Sequence, residues 1–337
     1  MLRGKVTALS KERGWREQVS SIVDADTLKA LGEQSSADTV MVLIGLWTEV
    51  GLLLLGANLL LQLPLGWAVV SGVVVVLLLG TRMNAFGVIV HEGSHGLLTK
   101  SRAVNDQVTN WGAAFWTINS VEEYRPTHRL HHRYLGGEMD PDRTFYLVPA
   151  QRGALAKLML QDLVGITAFR RATTRLSGTS AESAAPASLF TKPRLLIGKA
   201  ITQLAMLGQF VAFQGFARGV GFYAVFWLVP IVCIYPMILR LKTITEHYDA
   251  GLRDPTNVKW TARTSCAGHL QNHLIGARMQ YHFEHHIIPT IPYQGLRKLH
   301  RQLEDSGLFA DHREFLSGGY GQFLTRAVTR KLDAERG

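Results

Sequence analysis

Nine of the thirteen histidines fall into short groups that recur along the chain. These groups are His91-Glu92-Gly93-Ser94-His95, His128-Arg129-Leu130-His131-His132 and His282-Phe283-Glu284-His285-His286, and the pair Glu246-His247 completes the set. Residues at i, i+3 and i+4 share one face of a helix, so each group can point its imidazoles in one direction. A lone histidine usually has a structural or surface role, but two HxxHH groups together with an HxxxH group predict a metal site.

The number of imidazoles bears on which metal they hold. One tetrahedral zinc takes three or four protein ligands, so nine are too many for a single ion. They divide naturally between two ions of five or six coordination, with an open position on each for O₂ or water. Imidazole suits iron, zinc and copper alike, and two zincs stay open on this ground. Iron is favoured because a redox role accounts for such a neutral shell, although soluble di-iron proteins use Glu and paired ExxH motifs instead.

Carboxylates lie beside the predicted ligands. The candidates to accept N–H bonds from ligand imidazoles, and so to fix their tautomers, are Glu92, Asp140, Glu246 and Glu284. The alternative role is a solvated loop charge, and the ligand-orienting role is favoured most for Glu246 and Glu284. Of the remaining histidines, His269 and His273 are interpreted as non-ligands, and His300 and His312 as surface or near-site residues.

Two pairs of apolar runs must position these groups. The runs cover residues 39–61, 65–90, 195–216 and 220–239, and each is long enough to cross a bilayer as a helix. Short turns at 62–64 and 217–219 join them into two hairpins. The predicted fold is therefore an all-α integral membrane protein, with four transmembrane helices in two hairpins and a helical cap that holds the metal site. A soluble protein with four buried helices is the alternative, but helices that are apolar all round are unusual there.

The charge distribution predicts the orientation. Both termini and the central loop lie on one side of four spans and carry nearly all the Lys and Arg, whereas the opposite turns carry only Arg218. The positive-inside rule then makes the termini, the loop and the active site cytoplasmic. The domain organisation is a cytoplasmic N-terminal segment (1–38), a membrane domain (39–305) and a cytoplasmic C-terminal tail (306–337).

Composition excludes several other classes. The net charge of +10 is explained by topology, because no nucleic-acid motif or basic patch interleaved with aromatics is present, and no nucleic-acid partner is expected. The first apolar run is too long for a secretory signal and leads directly into a second. Cys233 and Cys266 form neither a disulfide framework nor a metal motif, which indicates a reduced compartment.

The three histidine groups, interleaved with two membrane hairpins, resemble the histidine boxes of the membrane fatty acid desaturase and hydroxylase superfamily. The segment from Tyr281 to His286, followed by Pro289, Pro292-Tyr293 and Leu299-His300, is similar to the C-terminal part of bacterial acyl desaturases. The resemblance covers roughly residues 40–305. It implies two iron ions held by His91, His95, His128, His131, His132, His247, His282, His285 and His286, and a bacterial inner membrane location. For an asparagine that some relatives place near the metals, Asn272 is the candidate here.

The resemblance implies an O₂-dependent enzyme that oxidises an unactivated C–H bond of a fatty acyl or lipid-like chain. Desaturation is favoured over hydroxylation, because the flank of the third box is more similar to desaturases. The carrier of the acyl group stays open between CoA, a carrier protein and a lipid. The acyl chain is expected to enter laterally, with Trp111, Phe115 and Trp116 as candidate channel walls in a short interfacial or re-entrant piece.

The electrons must come from a separate protein. The sequence contains no Gly-rich dinucleotide fingerprint, no CxxC set and no room for a fused haem domain. The expected donor is of the ferredoxin, rubredoxin or cytochrome b5 type, with its reductase. A small acidic protein would suit the basic residues Arg297, Lys298, Arg301, Arg326, Arg330 and Lys331, which would alternatively contact anionic lipid.

Two other classes of function share single features with this sequence. His91-Glu92-x-x-His95 is also the zinc metalloprotease signature, but that interpretation leaves seven motif histidines unexplained. A metal transporter would need polar ligands at mid-membrane. Glu49 and Asn84 are the polar exceptions in the spans, and neither is paired with a histidine in its own span.

Overall fold

The chain is built from helices, four of which are long and apolar enough to cross a membrane. In the computed structural model, the described residues are 8–149, 151, 153–177, 192–248 and 261–329. The four long helices are span 1 (Ser36–Gln62), span 2 (Leu65–His95), span 3 (Pro193–Gln214) and span 4 (Phe216–His247). The predicted all-α, four-span architecture is confirmed.

Shorter α-helices lie between and around the four spans in the described chain. They are α1 (Ala8–Ile22), α2 (Ala25–Leu31), α3 (Arg102–Thr109), α4 (Val121–Tyr134), α5 (Arg143–Tyr146), α6 (Ala154–Leu163), α7 (Ile166–Ser177), α8 (His269–Gln271), α9 (His282–Ile287), α10 (Tyr293–Asp305), α11 (Leu308–Asp311) and α12 (Tyr320–Thr329). Two-residue strands β1 (Thr264–Ser265) and β2 (Leu316–Ser317) pair in parallel.

The span boundaries differ from the sequence prediction at the helix ends. Span 1 begins three residues earlier than predicted, because Ser35 caps it by accepting a hydrogen bond from Asp38 N at 3.2 Å. Span 4 continues past residue 239 to His247, so its last turns project beyond the apolar run. The second hairpin turns at Gly215, not at residues 217–219. Gly215 has φ 74° and ψ 168°, a conformation that favours glycine, whereas Arg218 is simply a charged residue on the helix.

Spans 2 and 4 pack against each other at the centre of the membrane part. A Cβ added to Gly80 of span 2 would lie 2.2 Å from Ile234 Cγ2 of span 4, so only glycine permits this approach. Around this contact Leu79, Phe86 and Trp227 are fully or almost fully buried. The two helices that carry histidines are therefore held rigidly together.

The cap is a second core that both ends of the chain help to build. Val19 of α1 packs in one cluster with Phe283 of α9, Leu299 of α10 and Phe315. The segments predicted to flank the membrane domain, 1–38 and 306–337, thus pack into it where the structure describes them. Their amphipathic helices supply apolar faces that a boundary drawn from hydropathy alone does not reveal.

Candidate metal centre

Four separate pieces of chain bring nine histidines to one place. The last two turns of span 2 carry His91 and His95, and the end of span 4 carries His247. Helix α4 carries the second group, and its N-terminus is fixed by Ser120, which accepts from Glu123 N at 3.3 Å. Helix α9 carries the third group and is buried along its whole length.

The nine imidazoles form two clusters of converging nitrogens. The five-histidine cluster consists of His91, His95, His128, His132 and His285. The four-histidine cluster consists of His131, His247, His282 and His286. Within each cluster the ligand atoms all lie within 4.8 Å of one another. The rings of His132 and His286, one from each cluster, are stacked with centroids 4.2 Å apart, so the clusters adjoin.

Helix geometry explains how one box serves both clusters. Positions i and i+4 are about 40° apart around a helix, whereas i+3 lies about 60° to the other side of i. On α4, His128 and His132 accordingly enter the five-histidine cluster and His131 the other. On α9 the roles are reversed, because His282 and His286 enter the four-histidine cluster and His285 the other. Each HxxHH box therefore bridges the two centres.

The ring nitrogens face one another in a way that suits metal ions. His95 Nε2 and His132 Nε2 lie 2.8 Å and 3.1 Å from the same atom, His128 Nε2. In the second cluster His282 Nε2 lies 2.9 Å from His247 Nε2 and 3.1 Å from His286 Nε2. One nitrogen carries at most one proton, so hydrogen bonds between imidazoles cannot satisfy such convergence. A cation at each centre satisfies it, and the residues present fit the two ions that the sequence predicts.

The electrostatics keep most of these imidazoles neutral, as metal ligands must be. Burial, together with the neighbouring histidines, holds the pKa of His128, His132 and His285 well below its usual range. The same causes lower the pKa of His282 and His286.

His131 differs from the other histidines because it has an anionic partner. Its Nδ1 donates to Asp140 Oδ1 at 2.9 Å, and Asp140 Oδ2 accepts from the hydroxyl of Tyr146. Burial by itself lowers the pKa of His131, but the charge and the hydrogen bond of Asp140, with Asp142 and Glu246 nearby, raise it to about 9. Asp140 thus contacts a clustered imidazole directly, which is the contact that the predicted ligand-orienting role requires.

The three other predicted carboxylates have different partners. Glu246 pairs with Lys242, and its Oε2 lies 3.9 Å from His282 Nε2, beyond hydrogen-bond range. Both oxygens of Glu284 are engaged outside the clusters, by Thr264 and by His300 Nδ1 at 2.5 Å. Glu284 therefore ties α9 to α10 and does not contact a clustered imidazole directly.

Glu92 lies beside His91 but forms no hydrogen bond with a clustered imidazole. Its Oε2 accepts from Tyr293 N at 3.0 Å, and its Oε1 is 3.7 Å from His91 Nδ1. A zinc protease needs the glutamate of this motif beside the metal-bound water. The position of Glu92 is therefore evidence against the protease interpretation.

The remaining polar candidates lie away from the clusters. His273 contacts Arg82 of span 2, which also pairs with Glu49 of span 1. Asn84 donates to Ile275 O at 2.7 Å, so Glu49 and Asn84 attach the segment after α8 to the spans. This role differs from that of transporter ligands. Asn272 donates to Ala267 O, and His269 and His312 belong to neither cluster.

A cavity of about 370 Å³ opens onto both clusters. Its wall includes His91 and His128 of one cluster and His131, His247 and His282 of the other. The rest of the wall alternates apolar residues such as Val88, Ile231 and Leu239 with polar ones such as Asn84, Thr127 and Thr243. Trp111, Phe115 and Trp116, the predicted channel walls, are not among the residues that line it. They lie instead in a short helical piece against span 3, where Thr202 Oγ1 donates to Phe115 O at 3.0 Å.

Three residues of the site were not predicted from the sequence. Tyr124 Oη lies 3.3 Å from His128 Nδ1, Tyr146 contacts Asp140, and Lys242 contacts Glu246. Tyr124 and Lys242 precede their partners by four residues on the same helix, a spacing that could have identified both. No comparable signal links Tyr146 to Asp140, because tertiary packing brings them together.

Comparison with known proteins agrees with this geometry. Residues 65–315 match the family model described as fatty acid desaturase. A curated relative, dihydrorhizobitoxine desaturase from Bradyrhizobium elkanii, is 28% identical over 247 residues, which cover 69% of this chain and 68% of the relative. Residues 65–315, the segment that matches the family model, contain all nine clustered histidines.

Proposed function

Because the chain belongs to the fatty acid desaturase family, we propose that it is an O₂-dependent di-iron oxidase. Its reaction is the desaturation of an unactivated alkyl chain in a fatty acyl or lipid-like substrate. The observation that carries the proposal is the pair of histidine clusters at one cavity. Five imidazoles would hold one iron and four the other, which leaves positions for O₂ and water. Bound iron would supply the redox chemistry that removes hydrogen from carbon.

The overall reaction balances with an external reductant. A –CH₂–CH₂– unit, O₂, two electrons and two protons give –CH=CH– and two waters. The two cysteines are free, so the described chain offers no set of thiolates for an iron–sulfur centre. We therefore keep a separate electron donor of the ferredoxin, rubredoxin or cytochrome b5 type as part of the proposal.

The protein's own contribution is positioning and exclusion of water. The cavity presents the substrate chain to histidines of both clusters, and the wall residues Ile231 and Leu239 of span 4 exclude water on one side. Asp140 holds the proton of His131 on Nδ1, so that Nε2 stays available for a metal. Burial of the clusters keeps the remaining imidazoles neutral.

Helix α10 is the part of the surface best suited to the donor. Arg297, Lys298 and Arg301 are exposed on it, and its His300 contacts Glu284 of α9. A small acidic protein bound there would lie one helix away from the third histidine box. The side chain of Arg326, together with Arg330 and Lys331, lies outside the described residues.

The positive-inside rule supports a cytoplasmic location for the histidine clusters, in a bacterial inner membrane. A reporter fused after residue 329 should then be cytoplasmic, and one inserted at Gln62 should be external. An external C-terminal reporter would reverse the proposed orientation.

The central test is a reaction under ¹⁸O₂. The purified protein should contain about two irons per chain, and the product should be two hydrogens lighter than the substrate with no label. A product that keeps ¹⁸O would assign the chain to the hydroxylase branch of the superfamily, with the same metal site. Protein that holds a single zinc and no iron would overturn the proposal.

A further inference from the structure

Outside the four spans, one pair of helices also exposes a continuous apolar surface. Helices α6 and α7 form a short hairpin, and around its turn, from residue 160 to residue 169, every exposed side chain is large and hydrophobic. These side chains are Leu160, Leu163, Val164, Ile166 and Phe169, and Phe169 is 70% exposed. The exposed charges Lys157 and Arg170 lie just outside this stretch, where long basic side chains can reach the lipid headgroups. An exposed apolar patch of this kind indicates a surface that is covered by lipid or by another protein.

The position of the hairpin turn favours lipid. A Cβ added to Gly165, at the turn, would lie 3.7 Å from Cys233 Sγ and 3.8 Å from Val232 O, so the turn packs beside this part of span 4. Val232 follows the turn at Gly215 by 17 residues, which is about 25 Å along a helix at about 1.5 Å per residue. The hydrocarbon core of a bilayer is about 30 Å thick, so the hairpin turn lies at the depth of lipid chains.

Around its turn the hairpin also meets the requirements of a segment in lipid. Its turn leaves few amides unpaired, since Val164 N donates to Leu160 O, Gly165 N to Asp162 O and Phe169 N to Gly165 O. Its buried charge is shielded from lipid, because Asp162 is fully buried and takes two hydrogen bonds from Arg240 of span 4 at 2.5 Å and 2.9 Å.

We propose that α6 and α7 form a re-entrant hairpin inserted into the leaflet on the histidine side, with lipid acyl chains against its apolar face. The opposite face of α7 supplies Thr167, Ala168 and Arg171 to the wall of the cavity. The hairpin is therefore the wall that separates the cavity from the lipid. This placement follows from the hairpin's own contacts and holds whichever reaction the clusters catalyse.

Spin-label accessibility in proteoliposomes tests the placement without any activity readout. In a Cys233→Ala, Cys266→Ser background, single cysteines at Val164 and at Phe169 are labelled with a nitroxide. Leu204→Cys, on the exposed face of span 3, is the lipid control, and Asp305→Cys, exposed on α10, is the aqueous control. Because these side chains are exposed, the labels displace no packed neighbour.

Both hairpin labels should match Leu204, with relaxation enhanced by O₂ and little affected by a water-soluble nickel chelate. Labels that match Asp305 would place the hairpin in water and overturn the proposal. Labels reached by neither reagent would also overturn it, because they would show that protein, such as a second copy of the chain, covers this face.

Discussion

The two histidine clusters share their residue type but not their surroundings. All four members of the four-histidine cluster are buried, whereas His95 and His132 of the five-histidine cluster are partly exposed. The four-histidine cluster also has an anion in contact with one of its imidazoles, since Asp140 accepts from His131. The nearest counterpart in the other cluster is the neutral hydroxyl of Tyr124, at a longer distance from His128.

This difference separates two ways of fixing an imidazole. A carboxylate fixes the tautomer strongly and adds negative charge, whereas a hydroxyl does so weakly and adds none. The five-histidine cluster compensates with one more imidazole. We therefore expect the four-histidine cluster to depend on its surroundings and the five-histidine cluster on its number of ligands.

Removal of one ligand from each cluster should have the largest effect. We expect both His131→Ala and His285→Ala to reduce turnover by more than about 100-fold, because each centre loses a coordinating nitrogen. His131→Ala leaves three imidazoles in its cluster and His285→Ala leaves four, so His131→Ala should lose more iron. Metal analysis of the purified variants measures the difference.

The matched control for this pair is His269→Ala, which removes an exposed histidine that belongs to neither cluster. It should keep about two irons and full turnover. Full activity in either cluster variant would show that the nine histidines do not act as one di-iron centre.

Substitution of the charged partner should have the next largest effect. Asp140→Asn keeps the shape of the side chain but removes the charge that His131 and Tyr146 contact. At pH 9 and above, where proton competition at His131 no longer matters, we expect metal affinity of the four-histidine cluster to fall by about 10- to 100-fold, with the five-histidine cluster unchanged. Competition with a chelator, which should reveal one weakened and one normal site, measures this.

Asp142→Asn is the control for that variant, because Asp142 Oδ2 is 4.0 Å from His131 Nδ1 and its side chain is partly exposed. It should weaken metal binding much less than Asp140→Asn. Equal effects of the two substitutions would mean that general negative charge, and not the hydrogen bond, supports the cluster.

The same asymmetry predicts a pH dependence of metal binding. In the metal-free protein Asp140 raises the pKa of His131 to about 9, so at pH 7 this imidazole must release a proton before it binds metal. Affinity of the four-histidine cluster should rise about tenfold per pH unit from pH 7 to 9 and then level off. The five-histidine cluster should be flat over this range, because burial lowers the pKa of His128, His132 and His285.

Titration of metal-free protein with Zn²⁺, a redox-inert probe, at pH 7, 8 and 9 measures both affinities. In Asp140→Asn the slope of the weaker site should disappear, which separates the effect of this carboxylate from that of the other ligands. A similar slope at both sites would indicate that the clusters share one proton network.

The spans and the nine clustered histidines could be predicted from the sequence because both follow local rules. Apolar runs of membrane length predict spans, and i, i+3, i+4 spacing predicts a shared helix face. The division within each box also follows from helix angles, with His128 and His132 on one side and His131 on the other. Which cluster each side joins depends on how α4 and α9 dock, and no local pattern encodes that docking.

The partners of the carboxylates were the least predictable part of the site. Glu284 lies between two clustered histidines in the sequence, yet it contacts His300 of α10, because the helix turns its side chain to the opposite face. Asp140 follows the second box by several residues and still reaches His131, because the intervening chain turns back, with Gly136 N donating to Asp140 Oδ2 at 3.2 Å. Proximity in sequence was therefore a poor guide to contact.

The smallest expected effect concerns the hydroxyl of Tyr124. Its ring stacks on His128, with centroids 5.2 Å apart and planes 15° apart, and Tyr124→Phe keeps that contact. With a metal on His128 Nε2, the Nδ1 proton would lose only an acceptor that is neutral and 3.3 Å away. Charge-assisted bonds are about twice as strong as neutral ones, so metal affinity of the five-histidine cluster should fall by less than about tenfold. Chelator competition on Tyr124→Phe beside Asp140→Asn gives the comparison directly.

A loss in Tyr124→Phe as large as that in Asp140→Asn would show that burial, and not charge, decides how strongly a neighbouring group fixes a ligand. Because Tyr124 also lines the cavity, a change confined to KM with metal content intact would instead assign the hydroxyl to the substrate.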